Sequence, residues 1–118
     1  MSFSFKISHL PVAVVFSVSG KISQEDTTGD LLDAVTEELD KKAKAILFDV
    51  SGLEYITSTG LNFFIRVLTK TRNADGQLIL CGMHGTVEKL FKISKLNEIF
   101  TTCPTVEDGL AKINAQQA

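Results

Sequence analysis

The sequence has two cysteines and two histidines, no excess of basic charge and no long apolar run. Each shortage removes a class of function. Two cysteines, Cys81 and Cys103, cannot build a disulfide framework, which points to a reducing compartment. No CxxC or Cys/His spacing suggests a metal site. His9 falls in an expected turn and His84 just ahead of an expected helix. Neither has a carboxylate beside it in sequence, and a capping role is the plainer reading of His84. GxxxxGK, GxGxxG and GxSxG are all missing. The chain is therefore not expected to be an enzyme, to carry a catalytic residue, or to hold a cofactor or metal. Lysine and arginine total 12 against 14 acidic residues, for a formal charge of −2. The longest basic run, Lys41-Lys42 with Lys44, reads as a solvated helix end, so no nucleic-acid surface is expected. No apolar stretch approaches the ~20 residues that span a bilayer. The start of the chain lacks the basic-then-apolar order of a secretory leader. A soluble cytoplasmic protein without direct membrane insertion is the expectation.

What is present fits one α/β domain over residues 1–118. Apolar residues make up 44% and charged residues 22% of 118 positions, enough for a core without staples. Phe3, Phe5 and Ile7 alternate with polar residues, the period of a half-exposed strand. Val12 to Val18 is β-branched and reads as an interior strand, forming an antiparallel hairpin with the first. A loop follows at Gly20-Lys21-Ile22-Ser23. Ser23 with Asp26 resembles a capped helix start. Leu31, Leu32, Val35 and Leu39 stripe the helix, with Asp30, Asp33, Glu37 and Asp40 on another face. That acidic face is a solvated surface or, alternatively, a docking face for a basic partner.

Ala45 to Val50 reads as a buried strand and residues 51–58 as a loop. Thr59 to Asn73 reads as a helix with Leu61, Phe64, Ile65 and Leu68 at core spacing. Asp75-Gly76 marks a turn. Gln77 to Cys81 is the next buried strand. A short helix over residues 86–94 carries Val87, Leu90, Phe91 and Ile93. A brief strand near Ile99–Thr102 follows. Thr105 and Asp108 then cap a last helix bearing Val106, Leu110 and Ile113. Strands alternating with helices imply right-handed βαβ units. The expected fold is a mixed sheet, an N-terminal hairpin plus parallel βαβ units, flanked by about four helices.

Two places carry functional signal. Asp49 closes an apolar strand, where ligand crevices of α/β sheets form. It is either a site residue or an acceptor for N–H groups of the next loop. The hydroxyls Thr57, Ser58 and Thr59 stand together where a helix begins. Capping explains one of them. A helix N-terminus also favours an anion, so a phosphoserine is compatible with the fold there. It would add roughly −1.5 to −2 charges to the surface and act on a partner. Phe63 and Val67 lie beyond the Leu61/Phe64/Ile65/Leu68 face and widen the apolar arc to about twice the ~100° stripe of one-sided burial. Either both sides of this helix are packed, or Phe63 and Val67 form an exposed patch beside Ser58.

The order of Gly20, Leu47-Phe48-Asp49, Ser58-Thr59-Gly60-Leu61, Gly76-Gln77-Leu78 and Val87-Glu88-Lys89-Leu90-Phe91 resembles the STAS domain, and most nearly the stand-alone anti-sigma factor antagonists of bacteria. The resemblance runs from about Phe3 to Ile113. It implies partner switching in bacterial transcription regulation. The unphosphorylated antagonist binds an anti-sigma factor that is a GHKL-type serine kinase, and the sigma factor is freed. Phosphorylation of Ser58, or secondarily Thr59, ends binding, and a PP2C-type phosphatase resets the cycle. Ser23, Thr57, Thr59, Gly60, Phe63 and Val67 are then the partner-binding candidates. Thr57 stands where antagonists commonly carry Asp, and Ser23 where the loop after Gly20 commonly carries an acid. Alternatives are an accessory subunit of a lipid transporter and a domain that senses a small ligand at the helix start.

Overall fold

The computed structural model describes residues 3–22 and 28–117. Five strands form one sheet in the order β1-β2-β3-β4-β5. β1 (Phe3–His9) pairs antiparallel with β2 (Val14–Ile22), from Phe3 opposite Gly20 to His9 opposite Val14. β3 (Ala45–Ile56), β4 (Gln77–Cys81) and β5 (Thr101–Cys103) continue the sheet in parallel. Helix α1 (Gly29–Asp40) joins β2 to β3, and α2 (Ser58–Asn73) joins β3 to β4. α3 (Gly85–Ile93) and a 3-10 turn (Leu96–Glu98) join β4 to β5, and α4 (Val106–Gln117) follows. The mixed sheet with its N-terminal hairpin and four helices is the arrangement that the sequence pattern implies.

Connections that step one strand at a time in one direction, each right-handed, put their helices on the same face. The two core clusters show that division. Val14, Phe16, Val18, Ile46, Phe48, Val50, Leu78 and Leu80 project toward one side, with Leu31, Val35, Phe64 and Phe91 from α1, α2 and α3. Their strand neighbours Val15, Ala45, Leu47, Ile79 and Cys81 project to the other side, where Ile113, Val106 and Leu110 of α4 cover them. The inner strands are therefore apolar at consecutive positions, because each face has its own helix layer.

Six phenylalanines run through the larger cluster. Phe16 stacks on Phe48 at 5.1 Å between ring centres. Phe48 meets Phe63 and Phe64 edge-on at 6.2 and 5.7 Å, and Phe64 meets Phe91 at 5.9 Å. Phe91 meets Phe100 at 5.5 Å. Edge-to-face pairs at these distances contribute about 0.5–1.5 kcal/mol beyond area burial. The chain of rings ties β2, β3, α2 and α3 together.

Several boundaries differ from the sequence expectation. β2 starts at Val14 and runs through Gly20, Lys21 and Ile22, which read as a loop. β3 runs on to Ile56, six residues beyond Val50. The two extensions pair with each other: Ser19 lies opposite Gly52, Lys21 opposite Tyr55 and Ile22 opposite Ile56, past ladder irregularities after Ser17 and Gly20. Leu53 and Ile56 are buried, so this arm of β3 also rests on the core. β5 lies at Thr101–Cys103, displaced from the expected Ile99–Thr102.

On α2 the buried residues are Gly60, Leu61, Phe63, Phe64, Val67, Leu68 and Thr71. The core face is centred between Phe64 and Val67, while Ile65, expected in the core, is on the exposed side. This corrects the exposed-patch reading. Phe63 is 3% and Val67 0% exposed, so neither is available to a partner. α2 is packed from both sides, against the sheet and against its neighbouring helices. The capping role expected of Thr105 is present, since its Oγ1 accepts the Asp108 N–H at 3.1 Å. Ser23 and Asp26 lie outside the described residues.

Candidate functional site at the start of α2

The long arms of β2 and β3 carry the chain out to the carboxyl edge of the sheet, and α2 starts there. Thr57 is extended, with φ −100° and ψ −177°, and occupies the N-cap position. Its N–H donates to the Ile22 carbonyl at 3.1 Å, and its own carbonyl accepts the first helical bond from Leu61 at 3.0 Å. The cap is thus fastened to the end of β2. Gly60 sits one turn in. A Cβ there would lie 2.9 Å from Ile56 Cβ and 3.2 Å from Ile22 Cγ2. Only glycine lets the first turn seat directly on the ends of β2 and β3. Gly60 is therefore buried and acts on the site by packing, not by touching a partner.

Ser58 is the first residue of α2 and is exposed, while Thr59 is half-buried. The first turn of α2 contains no acidic residue. Its partial positive charge and outward N–H groups are therefore not offset by a carboxylate from within that turn. This is an electrostatic setting in which an added anion on Ser58 is accepted.

Beside Ser58 is a groove of about 450 Å³, lined by Tyr55, Thr57, Ser58, Lys89, Leu90 and Ile93 among others. It lies between the outer arm of β3, the start of α2 and one flank of α3. Tyr55 is 43% exposed and Ile93 78% exposed. An isoleucine so open to water beside a tyrosine and a half-buried leucine marks an apolar surface suited to contact. The sequence places Ile93 on α3 with Val87, Leu90 and Phe91. Only Val87 and Phe91 of that helix are buried. A nine-residue helix with two core anchors leaves its last turn to solvent, and Ile93 sits on that turn. Tyr55 was hidden from sequence reading because it fell in a supposed loop. The extended β3 gives it a fixed direction.

Asp49, the other candidate, closes its own loop. Its Oδ1 accepts the Ser51 N–H at 3.0 Å and the Ser51 hydroxyl at 2.7 Å. The Ser51 carbonyl in turn accepts the His84 ring N–H at 2.8 Å. Gly82 makes that approach possible: φ is +79°, and a Cβ there would lie 2.9 Å from Ser51 Cβ. The Asp49–Ser51–His84 set therefore latches the start of α3 to β3. His9 also has a partner remote in sequence, with its Nε2 2.9 Å from Glu38 Oε2. A larger cleft of about 480 Å³ opens at the opposite edge of the sheet, near Lys44 and Arg72. Those two cations already donate to the Ala74 and Ile99 carbonyls, at 3.2 and 3.4 Å. Among the described residues no three His, Cys, Asp or Glu side chains gather as a metal site. No helix among them is long and apolar enough to cross a membrane.

Comparison with known proteins agrees with this architecture. The model of the STAS domain family matches residues 4–109. The chain belongs to the STAS domain family. A Bordetella bronchiseptica protein, BtrV, whose name assigns it as an anti-sigma factor antagonist, is 27% identical over 106 residues, covering 90% of this chain and 88% of that protein. The crystal structure of an anti-sigma factor antagonist from Mycobacterium paratuberculosis superposes with a TM-score of 0.83 at 23% identity, covering 96% of this chain and 95% of that one. The Bacillus cell fate determinant SpoIIAA in its phosphorylated form superposes at 0.73 and 17% identity, covering 93% and 99%. At these identities the two structures establish the shared STAS fold.

Proposed function

We propose that this STAS domain is an anti-sigma factor antagonist that acts by partner switching, with Ser58 as its control point. The unphosphorylated chain binds an anti-sigma factor of the GHKL serine-kinase type and frees the sigma factor. Phosphorylation of Ser58 ends binding, and a PP2C-type phosphatase restores it. The observation that carries this reading is the placement of Ser58. It is exposed at the first position of α2, above a turn without acidic residues, on the rim of an apolar groove. A phosphate there meets a favourable helix end, so the fold tolerates it. The same phosphate places roughly −1.5 to −2 charges beside Tyr55, Leu90 and Ile93. A partner that covers the groove would have to desolvate that charge. Thr59 is the weaker acceptor because its side chain is half-buried. The names carried by BtrV and the Mycobacterium relative support the antagonist role.

The test is capture of partners from native lysate with ADP present, comparing wild type with Ser58→Asp. A serine-kinase-like ATPase held by wild type and lost from a folded Ser58→Asp protein is the expected result. Equal capture by both proteins would refute the phosphoswitch, and transport subunits among the equally captured proteins would point instead to an accessory role at a transporter.

A further inference from the structure

Cys81 and Cys103 are opposed residues on the adjacent parallel strands β4 and β5. Neighbouring strands lie about 4.8 Å apart, and a disulfide spans Cα separations of about 4.4–6.8 Å. Opposed residues of a parallel ladder project to the same face, and both cysteines join the cluster beneath α4. Both are free thiols. Their surroundings differ. Cys81 is fully buried, and a Cβ on Gly109 of α4 would lie 2.7 Å from its sulfur. Cys103 is half-buried and lines a cleft of about 410 Å³ with Gly82, Met83, His84 and Pro104. Cys103 thus borders open space, while Cys81, its partner across the ladder, is buried.

We infer that Cys81 and Cys103 form a peroxide-oxidisable dithiol that closes to an intrachain disulfide, tying the edge strand β5 to β4. The oxidant is hydrogen peroxide, and the order of steps follows from exposure. The Cys103 thiolate attacks one peroxide oxygen, an S–O bond forms, the O–O bond breaks, and the departing hydroxide takes up a proton. Cys103 is then a sulfenic acid. The Cys81 sulfur attacks the Cys103 sulfur, the S–S bond forms, and the S–O bond breaks. The hydroxide leaves with the Cys81 proton as water. Two thiols and one peroxide give one disulfide and two waters. Cys81 cannot take the first role. Burial foremost, with a smaller push from the neighbouring Cys103, raises its thiol to about 12, so little thiolate exists at neutral pH. β5 has three residues and sits at the sheet edge, so it is the strand that adjusts as the bond closes. The inference does not depend on the role of Ser58.

The test uses the full chain treated with hydrogen peroxide, then quenched and denatured. Titratable thiols are expected to fall from two to none, the protein to stay monomeric without reductant, and its mass to drop by two hydrogens, all reversed by dithiothreitol. Tryptic digestion should join the peptide holding Cys81 to that holding Cys103. Cys103→Ser should keep its Cys81 thiol through the same treatment, and Cys81→Ser should stop at a sulfenic acid trapped by dimedone. Circular dichroism checks that both variants fold, and the joined peptide from wild type decides the matter if one does not. Oxidation of Cys103 alone, to a sulfinic acid or a Cys103-linked dimer with Cys81 still a thiol, would overturn the inference.

Discussion

Replacing Gly60 with alanine should destabilise the domain, although alanine is the better helix former. In an unconstrained helix interior the exchange favours folding by about 1 kcal/mol. At position 60 that gain meets an obstacle. The new Cβ would lie 2.9 Å from Ile56 Cβ, 3.2 Å from Ile22 Cγ2 and 3.3 Å from Ile56 Cγ2. Carbon pairs are at rest at about 3.5–4.0 Å. Ile56 Cβ is fixed directly to the backbone of β3 and cannot rotate away, so the first turn of α2 must lift. Overpacking of this kind costs about 1–3 kcal/mol. Taking the middle of that range, the net loss should be about 1 kcal/mol, a fall in Tm of about 4–6 °C for a domain of this size. Gly29→Ala is the control: among the described residues nothing lies within 4 Å of a Cβ there, so its Tm should hold or rise slightly. Thermal and urea unfolding followed by circular dichroism measure both. A Gly60→Ala protein as stable as Gly29→Ala would refute the claim that glycine is required to seat α2 on the strand ends. Because the lifted turn carries Ser58, Gly60→Ala should also weaken partner capture in the folded protein.

Phe63→Ala should cost about 3–5 kcal/mol, since its ring is 3% exposed and meets Phe48 and Phe64. Ile93→Ser should change stability by no more than about 0.5 kcal/mol yet reduce partner binding, and the reverse pattern in unfolding and pull-down experiments would restore the exposed-patch reading of α2. Burial pushes the Cys81 thiol up to about 12 in the fold, against about 8.5 in the unfolded chain. The native state therefore holds that proton more tightly, and the stability it contributes is present below pH 8.5 and lost as pH rises toward 12. The loss approaches about 1.4 kcal/mol per pH unit. Reduced wild type compared with Cys81→Ala, by urea unfolding between pH 8 and 11, should isolate this slope, and parallel curves would refute it. His9→Ala removes the ring that meets the buried Glu38 carboxylate and should cost about 1 kcal/mol, because the His9 side is open enough for water to take over part of the contact.

The order of elements, the mixed sheet and the cap at Thr105 were legible because each rests on a local pattern. Alternation marked β1, β-branched runs marked the inner strands, and the hydroxyl of Thr105 preceded an apolar period. What was not legible depended on partners remote in sequence. The outer arms of β2 and β3 contain Gly20, Gly52 and a mixture of polar residues, so neither reads as a strand alone. They become strands by pairing with each other. On α2, Ile65 was expected in the core but faces solvent, and the pattern left open whether Phe63 and Val67 were covered. The helix is apolar over a wide arc, and only the neighbouring helices and sheet fix which part is covered. The exposure of Ile93 was not legible either: it shares a helix with Val87 and Phe91 but lies outside the face that those two turn to the core. The position of Ser58 at a helix start was legible from the cluster of hydroxyls, and the groove beside it was not, since Tyr55 and Ile93 are 38 positions apart in sequence and meet only in the fold.

The geometry also bears on why a phosphate at Ser58 would switch binding without switching the fold. The cap is anchored from behind by the Thr57 N–H on Ile22 and by Gly60 against Ile56, and none of these contacts uses the Ser58 hydroxyl. On the folded side, an anion at a helix N-terminus gains about 0.3–1 kcal/mol. On the bound side, a partner seated over Tyr55, Leu90 and Ile93 would enclose the same anion beside apolar surface, at several kcal/mol for an unpaired charge. The two effects have opposite sign and unequal size. Their difference falls almost wholly on association, by a margin large enough to change occupancy by orders of magnitude while the domain keeps its stability. A conformational relay through the core is unnecessary on this account, and the dense packing of Phe48, Phe63 and Phe64 directly beneath the helix would resist one.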